Sequence, residues 1–508
     1  MMSILPRGLH YRSVAAGAAL LTGIAVAGPA RAQADRLVVA DTFGGRAGWA
    51  LETDDAFVLT SAGCMEMLTR IDHDGTVKPG LATSWTQTAA TVWDFTLRAG
   101  VKFADGTPLD AAIAAAALNR TLRAAAPARS FSPRLVSEVS APSEMTVRVT
   151  TPTPSVLVPL RMGGPNTGIL SPNAFRGERI NPVRACTGPF TIVEDVPRQM
   201  LRLERNPDYW GGAAGYARAE LRVVPDGNVR ATMVQTGEVA IARVLPVTEL
   251  RQPPPNITVY ATDIARITAL YLNNARPPFN DVRVRQAVQA ALDTTEIADS
   301  VYEGLARPAV GPFLPEAPWA PAGAAPVPRD LAKARALLAA AGVRPESLRI
   351  ELLAYTERPE LRDLASVVQA QLGELRIPVT IRIAAYASLE PALMAGEYQA
   401  LLMSRNHLAD VPDPGAFLAA DYTCKGAFNL SQFCRPEIDA KVAEAVGTAD
   451  ASRRFALYAE VAAQLQRDAV SVFVVREQQR DAVSNSVRGF RMHPFNHYLI
   501  TRDLSPAR

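Results

Sequence analysis

The hydrophobic period of this 508-residue chain switches repeatedly between that of a strand and that of a helix. Trp93, Phe95 and Leu97 alternate with Asp94, Thr96 and Arg98, the two-residue repeat of a half-buried strand. Asp110 then stands before an alanine-rich stretch through about Arg123, which reads as a capped helix. Apolar spacing over 54–71 predicts another helix, and 146–150 alternates again as a strand. From Thr187 the pattern is mostly strand (FTIVEDV, MLRLERN, ELRVVPD), with a helix over 229–235, a strand over 239–242 and a β-rich segment over 257–272. Beyond it, helices are predicted over 282–302, 330–341, 358–375, 389–395, 438–446 and 453–468. Strands over 348–354, 379–383 and 400–403 separate several of them, and 470–475 opens a closing β segment. This mixed order of short strands and helices excludes an all-α or all-β chain and predicts α/β and α+β lobes rather than one sheet. At roughly 100–200 residues per domain, the length suggests about three units.

The N-terminus reads as an address. Arg7 and Arg12 precede the apolar run SVAAGAALLTGIAVAGPA, and Ala30-Arg31-Ala32 follows as an A-x-A cleavage pattern. Basic, apolar, small-residue order is that of a secretory signal, predicted here over 1–32. The alternative, a membrane anchor, fits less well because small residues dominate the run. No later uncharged run reaches the ~18 residues a membrane helix needs, so the mature chain is expected to be soluble. All of the net charge of +3 lies in that leader; beyond it 50 basic residues face 50 acidic ones. A neutral body offers no general field for nucleic acid or anionic lipid.

Export bears on the four cysteines, Cys64, Cys186, Cys424 and Cys434. An oxidising compartment favours pairing, and four cysteines allow three connectivities. Cys424 and Cys434 bracket one short loop, KGAFNLSQF, and are expected to be bridged. Cys64 and Cys186 would then pair or remain buried thiols. A metal site is disfavoured because no C-x-x-C exists and the histidine nearest Cys424 in the sequence is His407.

Motifs for catalysis are absent: there is no H-E-x-x-H, G-x-S-x-G, phosphate-binding loop or G-x-G-x-x-G. Of five histidines, His10 lies in the leader and His73 in a turn. His493 and His497 have Pro494 between them, which breaks helical spacing, and they read as a surface loop. No resident cofactor or metal is implied. A secreted hydrolase with a spatially assembled triad is the remote alternative.

Six segments in fixed order carry a positive signal: DGTVKPGLATSW (74–85), WDFTLRAGVKFADGTPL (93–109), TGPF (187–190), RNPDYW (205–210), YLNNARPPFNDVRVRQAVQAALD (271–293) and ADVPDPGAFL (409–418). Together they resemble the peptide/nickel family of extracytoplasmic solute-binding proteins of ABC importers, over roughly 36–500. Locally they read as turns, helix entries and core contacts, so they mark scaffold rather than site. The resemblance implies a two-lobed clamp with an extra inserted subdomain. Lobe I would comprise 33–55, 176–264 and 482–508, its insertion 56–175, and lobe II 265–481. Such a protein is a periplasmic monomer that encloses solute between its lobes and delivers it to an inner-membrane permease, without a catalytic residue.

The resemblance also suggests a ligand site. Peptide binders of the family hold the ligand's ammonium with an Asp shortly before an acidic-Pro-x-x-Phe segment, a position filled here by Asp410. The stretch Met403-Ser404-Arg405-Asn406-His407-Leu408 lacks the tryptophan of the oligopeptide binders. Their arginine falls at Ser404, one residue from Arg405, and one residue along a strand reverses the side chain. Arg405, Asn406 and His407 are therefore candidates beside Asp410. A small peptide is the expected ligand. An anionic nickel or other metal chelate, held by arginines, aromatics and histidine, is the alternative.

Overall fold

The computed structural model describes residues 35–46, 48–177, 179–246, 248–358 and 360–507. The predicted leader over 1–32 lies outside them. Among the described residues no helix is long and apolar enough to cross a membrane.

The fold is a two-lobed clamp whose lobes share one sheet of eleven strands. In spatial order ten of these are Phe190–Val196, Met200–Arg205, Arg218–Val223, Arg36–Asp41, Ile241–Ala242, Ser471–Ser484, Ile257–Leu272, Ala400–Asn406, Ile350–Tyr355 and Val379–Ala384. Ala306–Pro308 pairs off this path with Ser471–Ser484. Continuity across the lobes differs from the expectation of separate sheets. Its cause is the length of two antiparallel strands, of 16 and 14 residues, which run from one lobe into the other. Their pairing breaks register between Asp263 and Ile267, so the ladder is interrupted where the lobes meet. Beyond the break the second lobe is α/β: Ile350–Tyr355 lies parallel to both Val379–Ala384 and Ala400–Asn406. The carboxyl ends of these three strands face the junction, where open α/β sheets place their ligands.

Three large apolar cores underlie this arrangement. One gathers Leu37, Phe190, Leu203, Leu221 and Ile500. A second, around Phe95, Phe103, Leu118 and Phe131, sits under the four-stranded sheet that contains Val92–Leu97. The third fills the α/β lobe from Ile267 to Val475. Caps act where the sequence offers them: Asp110 accepts from the amide of Ile113 at 2.7 Å, and Asp281 from that of Arg283 at 2.8 Å.

Two predicted helices are cut short. The one over 54–71 ends at Ser61, because Gly63 turns left-handed (φ 71°) against the Ile500 carbonyl and Cys64 is bonded to Cys186. The one over 282–302 divides into Val282–Ala291 and Thr294–Ser300, because Asp293 caps a new start by accepting from Thr295 and Glu296 amides. Cys424 and Cys434 are bonded as well.

Candidate functional site

The site assembles at the carboxyl edge of the parallel strands. Strand alternation decides the fate of Ser404 and Arg405. Ser404 donates to Glu477 at 2.8 Å on one face. Arg405, on the other, grips Asp421 through Nε and Nη2 at 3.0 and 3.2 Å. Asp421 is fully buried and Arg405 nearly so, and Phe428 lies 5.0 Å from the guanidinium. Burial alone would ease the proton off Arg405, but Asp421 outweighs it and raises the guanidinium above its ordinary value.

Asp410 follows on the loop after this strand. It accepts from Arg129 Nε at 2.6 Å, and Arg405 Nη2 lies 3.9 Å away. Burial pushes this carboxyl up, but the two guanidiniums prevail and hold it below the usual carboxylate range. Arg129 lies on the connection between Ala111–Leu122 and Glu138–Ser143, so the pair joins parts of the chain 281 residues apart. The backbone there is equally tight: a Cβ placed on Gly164 would stand 2.6 Å from the Asp410 carbonyl oxygen. The next turn belongs to Asp413, which accepts from the Gly415 amide at 2.8 Å and opens the helix Pro414–Asp421.

His407 is buried against Phe417 and Phe313, with ring centroids at 5.0 and 6.1 Å. Burial first, then the nearby Arg476, Arg405 and Arg266, drive its pKa far down, so the ring is neutral. Its Nδ1 and the Oδ1 of Asn406 are buried without a hydrogen-bond partner. The structure thus brings Asp410, Arg405, Asn406 and His407 together, with Arg405 already committed to Asp421.

Sequence reasoning missed several neighbours. His493 and His497 are buried, at 2% and 0% exposure, rather than on a surface loop. The segment after Phe490 folds back over the junction, and His497 Nε2 lies 2.6 Å from the Ala409 carbonyl oxygen, one residue before Asp410. Burial lowers the His497 pKa to about 4, against the pull of Ala409 and Asp410. His493 Nδ1 accepts from the His497 amide at 3.3 Å and Nε2 donates to the Ile71 carbonyl at 3.2 Å, so both ring nitrogens serve structure rather than a metal. Among the described residues no cluster of His, Cys, Asp or Glu could hold a metal ion.

Three arginines complete the surroundings. Arg161 donates to the Ser130 carbonyl, Arg266 to Ser404 Oγ at 3.3 Å, and Arg476 lies beside His407 in charge and opposite Ile267 in register. Burial lowers each of the three to about 10, and all remain charged at neutral pH. None forms an ion pair among the described residues. No local signal marks them, since each is a single arginine far from the 403–418 segment or on an ordinary strand.

A two-lobed clamp with a polar, arginine-lined junction between its lobes is the architecture of a solute-binding protein. The chain belongs to the bacterial extracellular solute-binding proteins of family 5, whose middle region matches residues 76–429. It is 27% identical over 435 residues to the probable D,D-dipeptide-binding periplasmic protein DdpA of Escherichia coli, covering 82% of this chain and 83% of that one. It is 29% identical over 437 residues to the nickel-binding periplasmic protein of the same organism, covering 80% and 82%. Among solved structures, DppA of Helicobacter pylori with the peptide STSA superposes with a TM-score of 0.80 at 23% identity, covering 94% of this chain and all of that one. NikA of Staphylococcus aureus with Ni(L-His)2 does so with a TM-score of 0.80 at 22% identity, covering 93% and 100%. Members of this family are solute-binding components of ABC importers and not enzymes.

Proposed function

We propose that this protein, exported by its leader and acting as a periplasmic monomer, captures a small carboxylate-bearing solute between its lobes and delivers it to an inner-membrane ABC permease. The lobes are those the resemblance implies: 33–55, 176–264 and 482–508 against 265–481, with 56–175 as the insertion. The observation that carries the ligand class is the trio Arg161, Arg266 and Arg476, charged at the junction with no acid paired to them. Enclosed cations without an acid partner are costly, and an anionic guest relieves that cost.

Two kinds of guest meet this requirement. A peptide would set its carboxylate on one of these arginines and its ammonium on Asp410, in place of Arg129. A metal chelate rich in carboxylates would leave the Asp410–Arg129 pair intact. The second reading is favoured by one specific feature: Asp410 is already neutralised by Arg129 at 2.6 Å and faces Arg405. Relatives of both kinds exist, named for dipeptides and for nickel.

Calorimetry on the mature chain distinguishes them. The probes are a mixture of di- and tripeptides and nickel(II) with L-histidine. Stoichiometric binding of one probe, recovered chemically unchanged, supports the reading; turnover of the probe, or no binding of either, overturns it. With a peptide guest, Asp410→Ala lowers affinity at least about 30-fold, since truncating one partner of a buried charge pair costs ~2–5 kcal/mol. With a chelate, the same substitution is neutral or improves binding.

A further inference from the structure

Two arginines of this chain show how its guanidiniums hold carboxylates. Arg405 grips Asp421 through Nε and Nη2 at 3.0 and 3.2 Å, and Arg148 grips Asp94 through the same two atoms at 2.7 and 2.8 Å. This side-on fork matches the spacing of two carboxylate oxygens. Arg476 offers the same pair of atoms, Nε and Nη2, buried and without a partner. The residue is only 5% exposed. The acids that act on it, Asp263 and Glu316, lie instead toward Arg307, at 3.7 and 3.8 Å from its Nη1.

The position of this fork follows from register. Ile267 faces Arg405 on one neighbouring strand and Arg476 on the other. Directly opposed residues project to the same face, so Arg405 and Arg476 flank Ile267 with Cα atoms about 10 Å apart, two strand spacings. His407, two residues beyond Arg405 and tied by its amide to the Ala265 carbonyl at 2.8 Å, joins them. Its buried Nδ1 is unpartnered too. Phe313 and Phe417 pack on the imidazole and form an apolar wall there. Arg405 is filled by Asp421, whereas the Nε–Nη2 edge of Arg476 has no partner. Ile267, opposite Arg476, is the first paired residue beyond the register break at Asp263–Ile267, so this unpartnered fork lies where the ladder is interrupted.

We propose that Arg476 is the ligand's carboxylate anchor, receiving both oxygens of one carboxylate on its Nε–Nη2 edge where the ladder is interrupted. The inference rests on the carboxylate-bearing solute proposed above and assigns its orientation: one carboxylate lies at Arg476, and the rest of the solute extends toward Asp410 and Arg129.

The test is calorimetry at fixed salt on the mature full chain and on Arg476→Gln. The probes are the di- and tripeptide mixture and nickel(II) with L-histidine, each beside a carboxyl-blocked counterpart: the amidated mixture and nickel(II) with histidinamide. The expected result is that Arg476→Gln weakens the best free-carboxylate probe at least about 30-fold. Blocking the carboxyl should cost the wild type as much and the variant less than about twofold further. Wild type that binds a probe while Arg476→Gln binds it within about twofold overturns the anchor and leaves the proposed function standing. Wild type that binds free and blocked probes equally overturns the anchor and the carboxylate-bearing class together, and wild type that binds none overturns both as well. Should the glutamine variant fail to fold, Arg476→Lys takes its place. It keeps the charge but not the fork, and affinity within about twofold of wild type overturns the anchor.

Discussion

Removing Arg405 should damage the fold before it damages binding. Asp421 is fully buried, and both of its carboxylate oxygens accept from Arg405 alone, at 3.0 and 3.2 Å. Asp410, the other acid beside Arg405, keeps Arg129 at 2.6 Å. In Arg405→Met the loss therefore concentrates on Asp421, a stranded buried charge, and breaking such a pair costs about 3–5 kcal/mol. Two aromatic rings line the pair: Phe417 lies 6.0 Å and Phe428 5.0 Å from the guanidinium. Replacing both partners, as Arg405→Met with Asp421→Leu, should then recover most of the loss, because apolar groups of similar volume often equal a buried ion pair. The coupling energy from the double-mutant cycle should be at least about 2 kcal/mol. Urea unfolding of the ligand-free protein measures it, followed by circular dichroism and by tryptophan fluorescence, since a chain with several cores need not unfold in one step. A double mutant as unstable as the sum of the single ones would refute the reasoning. So would an Arg405→Met variant within about 0.5 kcal/mol of wild type, the usual range of a surface substitution.

Three further outcomes follow from the structure. Gly164 has an ordinary backbone conformation (φ −78°), but an added Cβ would meet the Asp410 carbonyl at 2.6 Å; Gly164→Ala should leave the unfolding midpoint unchanged yet weaken ligand binding about tenfold or more by holding the lobes apart, as calorimetry would register. His497 is held neutral in the folded chain, with its pKa lowered to about 4 against about 6.5 when exposed, so the unfolded chain binds more protons between these values and stability is full above pH 6.5 and falls as pH drops toward 4, by up to about 3 kcal/mol. Urea titrations at pH 7 and pH 4.5 should show that loss in wild type and a smaller one in His497→Gln. Opening the Cys424–Cys434 bridge, a sequence separation of 10, should cost about 2–3 kcal/mol by the loop-closure estimate and loosen Phe428 most, which proton exchange of the 424–434 amides in reduced and oxidised protein would reveal.

The scaffold was legible because its signals are local. Asp110 announces a helix start by position, and the apolar alternation at Trp93–Leu97 announces a strand, so both survive folding unchanged. Alternation also separated Ser404 from Arg405, and their side chains do leave opposite faces, toward Glu477 and Asp421. What stayed hidden depends on distant contact. Arg129 meets Asp410 across 281 residues of sequence, and nothing near Arg129 distinguishes it from any other exposed arginine. His493 and His497 misled for the same reason: Pro494 excluded a helix, but only the docking of the C-terminal segment against Ile71 and Ala409 buries them. The helix predicted over 54–71 failed because a disulfide partner at Cys186 and a carbonyl at Ile500 fix Gly63 in a turn that no apolar pattern encodes.

The central claim is that the junction between the lobes holds a carboxylate-bearing solute that it does not transform. Native mass spectrometry of the protein purified from an exporting host, with dissociation of whatever it carries, tests this directly. The account predicts a mature chain lacking residues 1–32, bearing one small molecule with at least one free carboxylate, released intact and lost from Arg476→Gln. A bound molecule without a carboxylate, or a reaction product of a supplied probe, would contradict it.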